Sequence, residues 1–185
     1  LCIRTCWKWS RARRAGYRQN DWKTSDGQKR RINTLVSTGD KKEVAGSNGI
    51  VITADHLFAE MDFTEMDLLV LPGGMPGTLN LKACEPLLEL LKEHHAKGRR
   101  LAAICAAPTV LGHAGLLNGK KATCYPGCED GLIGAICETA PVVTDGVITT
   151  SRGVGTAIPF ALSLIAQLYG QEKADEIAKS IVYEV

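Results

Sequence analysis

An apolar run, Leu101-Ala102-Ala103-Ile104, leads directly into Cys105-Ala106-Ala107-Pro108 and then into a segment of helical periodicity, Thr109-Val110-Leu111 through Leu116-Leu117. A buried strand followed at once by a helix belongs to an open α/β sheet, whose ligands bind at the carboxyl ends of parallel strands. The pattern predicts a turn that holds the Cys105 sulfur at that edge, beside helix N–H groups that favour a thiolate. An arbitrary cysteine behaves as a small, buried hydrophobe. The strand-to-helix junction separates Cys105 from that default.

The rest of the chain from Asn33 onward alternates strands with helices. Thr34-Leu35-Val36-Ser37 and Ile50-Val51-Ile52-Thr53 read as strands, with Thr38-Gly39-Asp40-Lys41 as a turn. Asp67-Leu68-Leu69-Val70-Leu71 is a buried strand that Pro72-Gly73-Gly74 stops. Glu85 to Lys97 is an amphipathic helix with Leu87, Leu88, Leu91 and His95 on one face and Gly98 closing it. Lys121-Ala122-Thr123-Cys124-Tyr125 resembles a strand. Pro141-Val142-Val143-Thr144 and Val147-Ile148-Thr149-Thr150 flank Asp145-Gly146, a hairpin signal. Two helices end the chain, one from Gly155 to Tyr169 with Ala157, Ala161, Leu164 and Leu168 inward, the other from Glu172 to Val182. Such alternation predicts one α/β unit, a mainly parallel sheet covered on both faces.

Residues 1–32 do not fit this plan. Residues 1–31 hold ten Lys/Arg against Asp21 and Asp26, whereas the remaining chain has twelve basic and eighteen acidic residues. This head shows neither alternation nor a continuous apolar face and offers no buried strand. With Trp7, Trp9 and Trp22 interleaved it could bind nucleic acid, but no folded recognition motif accompanies the charge, and a solvated or disordered tail is the plainer account. Seven cysteines, irregularly spaced and without a secretory leader, point away from a disulfide framework and toward a reducing cytoplasm. Cys2 and Cys6, like Cys124 and Cys128, have three residues between them, which matches neither a zinc ribbon nor a redox Cys-x-x-Cys, so no metal centre is predicted. No apolar run approaches a membrane span.

Four motifs in order now carry a resemblance: Leu71-Pro72-Gly73-Gly74; Ala102-Ala103-Ile104-Cys105-Ala106-Ala107-Pro108; Ala122-Thr123-Cys124-Tyr125-Pro126; and Thr149-Thr150-Ser151-Arg152-Gly153-Val154-Gly155-Thr156. Residues 33–185 resemble the ThiJ/PfpI superfamily, in particular the branch of the parkinsonism-associated deglycase and its bacterial relatives. The resemblance implies a flavodoxin-like three-layer sandwich, lacking or perturbed in its first strand and helix, and a homodimer. It further implies a reactive cysteine at Cys105, linked to glyoxalase and deglycase chemistry on small dicarbonyls or their glycated adducts and to oxidation sensing, with no cofactor. Addition of a thiolate to an aldehyde makes an alkoxide, and the amides of Gly73, Gly74 and Ala106 are the expected donors to it, glycine permitting close backbone approach. Tyr125 is expected to line the pocket. Some family members place a histidine there; a free phenol, with a pKa of about 10, is a poor base at neutral pH.

The family also carries an acidic residue in a Gly-x-Glu-Glu type loop after its first strand, placed against the cysteine. Residues 1–32 contain no glutamate. Neither Asp21 nor Asp26 follows a strand, and the role passes to neither. The abrupt onset of the match at Asn33 leads to a reading of residues 1–32 as a frame-shifted version of the missing strand, loop and helix. If they are native, a second function class stands beside the enzyme: a noncatalytic thiol redox sensor or chaperone-like dimer in which Cys105 is oxidised stepwise.

Other motifs are read structurally. Gly153-Val154-Gly155 imitates a dinucleotide turn, but Ile158 stands where the third glycine belongs and Glu172 starts a helix instead of ending a strand. His113 is read as a structural histidine, His56 as a surface residue near a helix start, and His94-His95 as positive charge complementing a helix dipole.

Overall fold

The computed structural model describes the backbone of Cys2 and Ile3, then residues 33–46 and 48–184. Most of the basic head, with its arm, tail and frame-shift readings, lies outside the described residues. A seven-stranded sheet forms the centre, in the order β10-β11-β7-β6-β1-β2-β5. Its strands are β1 (Cys2–Ile3), β2 (Leu35–Ser37), β5 (His56–Leu57), β6 (Leu68–Leu71), β7 (Arg100–Ile104), β10 (Val142–Asp145) and β11 (Ile148–Ser151). Parallel pairing of β6 with β7, β7 with β11 and β2 with β5, joined through β1, gives five strands one direction. Only β1 and the hairpin strand β10 run against them. The chain therefore has the mainly parallel flavodoxin-like sandwich.

Strand β6 shows why the apolar runs are continuous. All four of its residues are buried. Leu69 and Leu71 face a core shared with Leu87, Leu88 and Leu91 of α2 (Glu85–Ala96) and with Val110 and Leu111 of α3 (Pro108–His113). Leu68 and Val70 face the other side, against Phe160 and Leu164 of α4 (Ala157–Tyr169). With side chains alternating between two covered faces, each residue must be apolar. α1 (Gly77–Ala83) adds Leu81 to the first core, and α5 (Gln171–Ser180) packs on α4.

Several expectations are corrected. Cys2 and Ile3 do join the sheet, as a two-residue strand antiparallel to both β2 and β6. Main-chain pairing of that length needs no side-chain periodicity, so no pattern announced it. Val51–Thr53 is a strand, β4, but it pairs only with β3 (Glu43–Ala45) in a separate hairpin; all its side chains are exposed. The predicted 121–125 strand is reduced to β8 (Lys121–Ala122), paired in parallel with β9 (Ile136–Cys137) outside the main sheet. His56 does lie just before a helical turn, the 3-10 helix Phe58–Glu60, but it sits in β5 and is half-buried instead of on the surface. The buried face of α4 is Phe160 and Leu164, while Ala157 and Ala161 are exposed.

In α2 the inward histidine is His94, 2% exposed, and not His95. Burial, with the Arg99 charge adding to it, pushes its pKa down to about 4. His94 is thus neutral at pH 7 and contributes no charge to the dipole. The helix end is satisfied instead by main chain: Gly98, at φ 68°, donates to His95 O at 2.9 Å and Arg99 N donates to His94 O at 3.1 Å. This paired closure needs a left-handed residue where Gly98 stands.

Candidate active site

Three neighbouring strands, β6, β7 and β11, end together at one edge of the sheet, and the loops leaving them carry the motifs. Pro72-Gly73-Gly74 leaves β6, Cys105 leaves β7 and Arg152-Gly153 leaves β11. Cys105 has φ 65°, a left-handed conformation that a residue with a Cβ adopts at a cost of about 1–3 kcal/mol. The surroundings hold it there. Cys105 N donates to Ser151 O at 2.9 Å, and Tyr125 N donates to Cys105 O at 2.8 Å. The Cys105 side chain is half-buried.

Gly73 completes the clamp. A Cβ built on it would lie 2.6 Å from Cys105 Cβ, 2.7 Å from Ile104 O and 3.0 Å from Ala106 N. No side chain fits between the two loops, so the Gly73 main chain lies directly against the elbow. Gly74 follows at φ 94°, its carbonyl accepting from Thr78 N at 2.8 Å and Thr78 Oγ1 at 3.0 Å. Ala106 is buried, and its carbonyl accepts from Thr109 N and, at 2.7 Å, from Thr109 Oγ1. Among the described residues, no acceptor takes the N–H of Gly73, Gly74 or Ala106.

The structure thus brings Cys105, Gly73, Ala106 and Tyr125 together, with Gly74 next in the same loop. Tyr125 is 51% exposed, and its ring rests against Gly153, where an added Cβ would meet Tyr125 Cδ2 at 3.4 Å. Gly153 in turn is fixed by Thr156, whose Oγ1 accepts from Gly153 N at 3.0 Å and bonds Ser151 Oγ at 2.7 Å. The glycines at 153 and 155 accordingly lead through a 3-10 turn into α4.

The helix after the elbow is shorter than its periodicity suggested. α3 spans Pro108–His113, and Gly115 at φ 74° breaks the run before Leu116 and Leu117. Six residues carry a smaller dipole than the predicted helix. His113 is exposed at its end.

Sequence reasoning missed two features here. Gly112 meets Gly131 O, where an added Cβ would sit 2.3 Å away, so the 129–131 turn presses on α3 behind the elbow. Cys124 is 3% exposed in the core, and its thiol is pushed up to about 12, first by burial and then by the Glu129 carboxylate. Neither depends on local periodicity. Among the described residues, no three His, Cys, Asp or Glu side chains group so as to hold a metal, and no helix is long and apolar enough to cross a membrane.

Residues 28–167 match the model of the DJ-1/PfpI family. Protein DJ-1 homolog A of Arabidopsis thaliana is 45% identical over 153 residues, which cover 80% of this chain and 39% of that relative; the chain thus spans well under half of its length. A deglycase of Pyrococcus abyssi is 36% identical over 124 residues, 65% of this chain and 74% of that one. The solved structure of oxidized DJ-1 from Toxoplasma gondii superimposes with a TM-score of 0.78 at 37% identity, covering 82% of this chain and 83% of the other.

Proposed function

The chain belongs to the DJ-1/PfpI family, and from that premise we propose that it acts on small reactive carbonyls through Cys105 as nucleophile. One observation carries the reading: the left-handed Cys105 elbow, with the bare main chain of Gly73 packed against it. A strained, half-buried cysteine at the ligand-binding edge of a parallel sheet is placed for reaction, and the surrounding structure maintains the strain.

The chemistry follows in steps. The Cys105 thiolate attacks the aldehyde carbon of a 2-oxoaldehyde; a C–S bond forms and the carbonyl π pair moves to oxygen. Main-chain N–H groups of Gly73, Gly74 and Ala106 stabilise that alkoxide, and Tyr125 lines the pocket and donates a proton. A proton then leaves the first carbon and another arrives at the second, while an electron pair shifts between them. The aldehyde carbon is thereby oxidised to a thioester and the ketone reduced to an alcohol. Water cleaves the thioester, giving a 2-hydroxy acid and regenerating the thiolate. No external oxidant, reductant or cofactor enters. The name of the Pyrococcus relative supports extending the substrates to glycated adducts. The protein is further proposed to act as a homodimer in the cytoplasm, where Cys84, Cys105, Cys124, Cys128 and Cys137 stay free thiols.

Steady-state conversion of methylglyoxal to lactate tests the proposal. The parent protein is expected to turn over, and Cys105→Ala to lose at least about a thousandfold in kcat/KM. A parent that shows no turnover, yet accumulates sulfinate at Cys105 under peroxide, would instead establish the redox-sensor class.

A further inference from the structure

Large apolar side chains stand exposed on the loops around Cys105, where the mechanism above asks only for polar donors. Three loops meet there, and each presents a large hydrophobic side chain to solvent. Met75, two residues beyond Gly73, is 50% exposed; Tyr125 is 51% exposed; Val154, directly after the Gly153 that supports the Tyr125 ring, is 93% exposed. Val154 contributes nothing to either core. The charged side chains on these loops are tied to main chain: Arg152 Nη1 donates to the Thr139 carbonyl at 2.9 Å, and Glu129 Oε2 accepts from Gly127 N at 2.7 Å.

We infer that Met75, Tyr125 and Val154 form an apolar collar that selects electrophiles by their substituent, favouring aromatic or branched apolar groups over hydrogen or methyl at Cys105. The inference rests on Cys105 being the reacting group of the proposed function. The Gly73 main chain lies against Cys105 Cβ with no room for a side chain between them, so the substituent of a carbonyl carbon joined to the sulfur is expected to extend away from that contact, toward the exposed side chains. An apolar substituent there removes its own surface and that of the collar from water, and gains affinity in proportion to the shared area. A hydrogen or methyl group reaches little of it. Because Tyr125 lies against the Gly153 main chain and the Ser151–Thr156 bond ties the turn whose backbone carries Val154, the loops that present the collar are set before a ligand arrives.

The test measures adduct formation at Cys105 by intact-protein mass spectrometry, with N-phenylmaleimide and N-methylmaleimide. Both rates are divided by those of free cysteine, which cancels intrinsic reactivity. The phenyl-to-methyl ratio at Cys105 is expected to be about fivefold to tenfold above the free-cysteine ratio. It falls toward that ratio in Val154→Ser and in Tyr125→Ser, and is kept in Tyr125→Leu, which retains the apolar body without the hydroxyl. A ratio equal to that of free cysteine overturns the inference. So does a Val154→Ser protein whose ratio is unchanged while its sedimentation shifts, because the collar then serves a second copy of the chain. Maleimide addition needs no turnover: the expected ratios with no dicarbonyl converted would reject the glyoxalase reading and leave the collar standing.

Discussion

Cys105 and Cys124 are separated by one main-chain hydrogen bond, from Tyr125 N to Cys105 O, and yet they occupy opposite chemical environments. Cys105 is half-buried on a left-handed residue at the end of β7. Cys124 is embedded in the core with Leu117, Ala122 and Leu132; its Sγ donates to the Tyr125 carbonyl at 3.4 Å, and burial holds its thiol far above the ordinary range. The pair teaches that residue type does not make a thiol available. Backbone conformation and access to solvent do, and both are set by neighbours distant in sequence: Gly73 and Ser151 for Cys105, the surrounding core and Glu129 for Cys124.

The most direct way to break the contrast is to deform the elbow without touching sulfur. Gly73→Ala places a methyl 2.6 Å from Cys105 Cβ and 2.7 Å from the Ile104 carbonyl, neither of which is the flexible end of a long side chain. The loop or the elbow must move. The expected result is a loss of about 2–4 kcal/mol in urea unfolding and at least a tenfold slower alkylation of Cys105, with Cys124 still unreactive in the folded protein. A variant of parental stability and parental Cys105 reactivity would show that the clamp does not position the sulfur.

Much of this contrast was legible before the structure, and the part that was not has a common cause. The apolar run ending in Cys105 announced strand β7 and its turn, and Asp145-Gly146 announced the β10–β11 hairpin, because both signals are local and periodic. Gly73 and Ala106 were legible as candidate main-chain donors from the strand-end glycines and the elbow, with the motif resemblance favouring that reading over an ordinary turn; the 2.6 Å approach itself is a tertiary fact. His94 and His95 were exchanged because adjacent residues on a helix differ by only a fraction of a turn, and the packing of α2 on the sheet decides which one is covered. Cys124 read as part of a strand, which said nothing of the depth to which the 121–125 segment sinks beside β11. The basic head was legible only as a mismatch, and its two-residue strand β1 is too short to leave a pattern.

A second measurement sharpens the comparison at neutral and mildly basic pH. A thiol pushed up to about 12 is ionised to roughly one part in ten thousand at pH 8, and Cys124 is also 3% exposed. Iodoacetamide labelling at pH 8, read peptide by peptide, is therefore expected to modify Cys105 at least about a hundredfold faster than Cys124 in the folded protein. In concentrated urea the two rates should converge. Comparable rates in the native state would mean that Cys124 is reached by opening motions far more frequent than its packing implies.

The smallest effect isolates the cost of keeping Cys124 protonated. Its thiol pKa is raised from 9.0 to about 12 on folding, so between those values the native state holds a proton that the unfolded chain has released. Stability from this group is complete below pH 9 and declines as pH rises toward 12, by about 1 kcal/mol between pH 9 and pH 10. The absolute slope of stability against pH belongs to every group that ionises in this range, and not to Cys124 alone. Cys124→Ala removes only one contributor. The variant starts lower because it leaves a small cavity, but its urea-unfolding free energy should fall less steeply from pH 9 to pH 10 than the parent's, and the difference between the two slopes is the quantity attributable to Cys124. Parallel slopes would place the Cys124 thiol in contact with water, against its position among Leu117, Ala122 and Leu132.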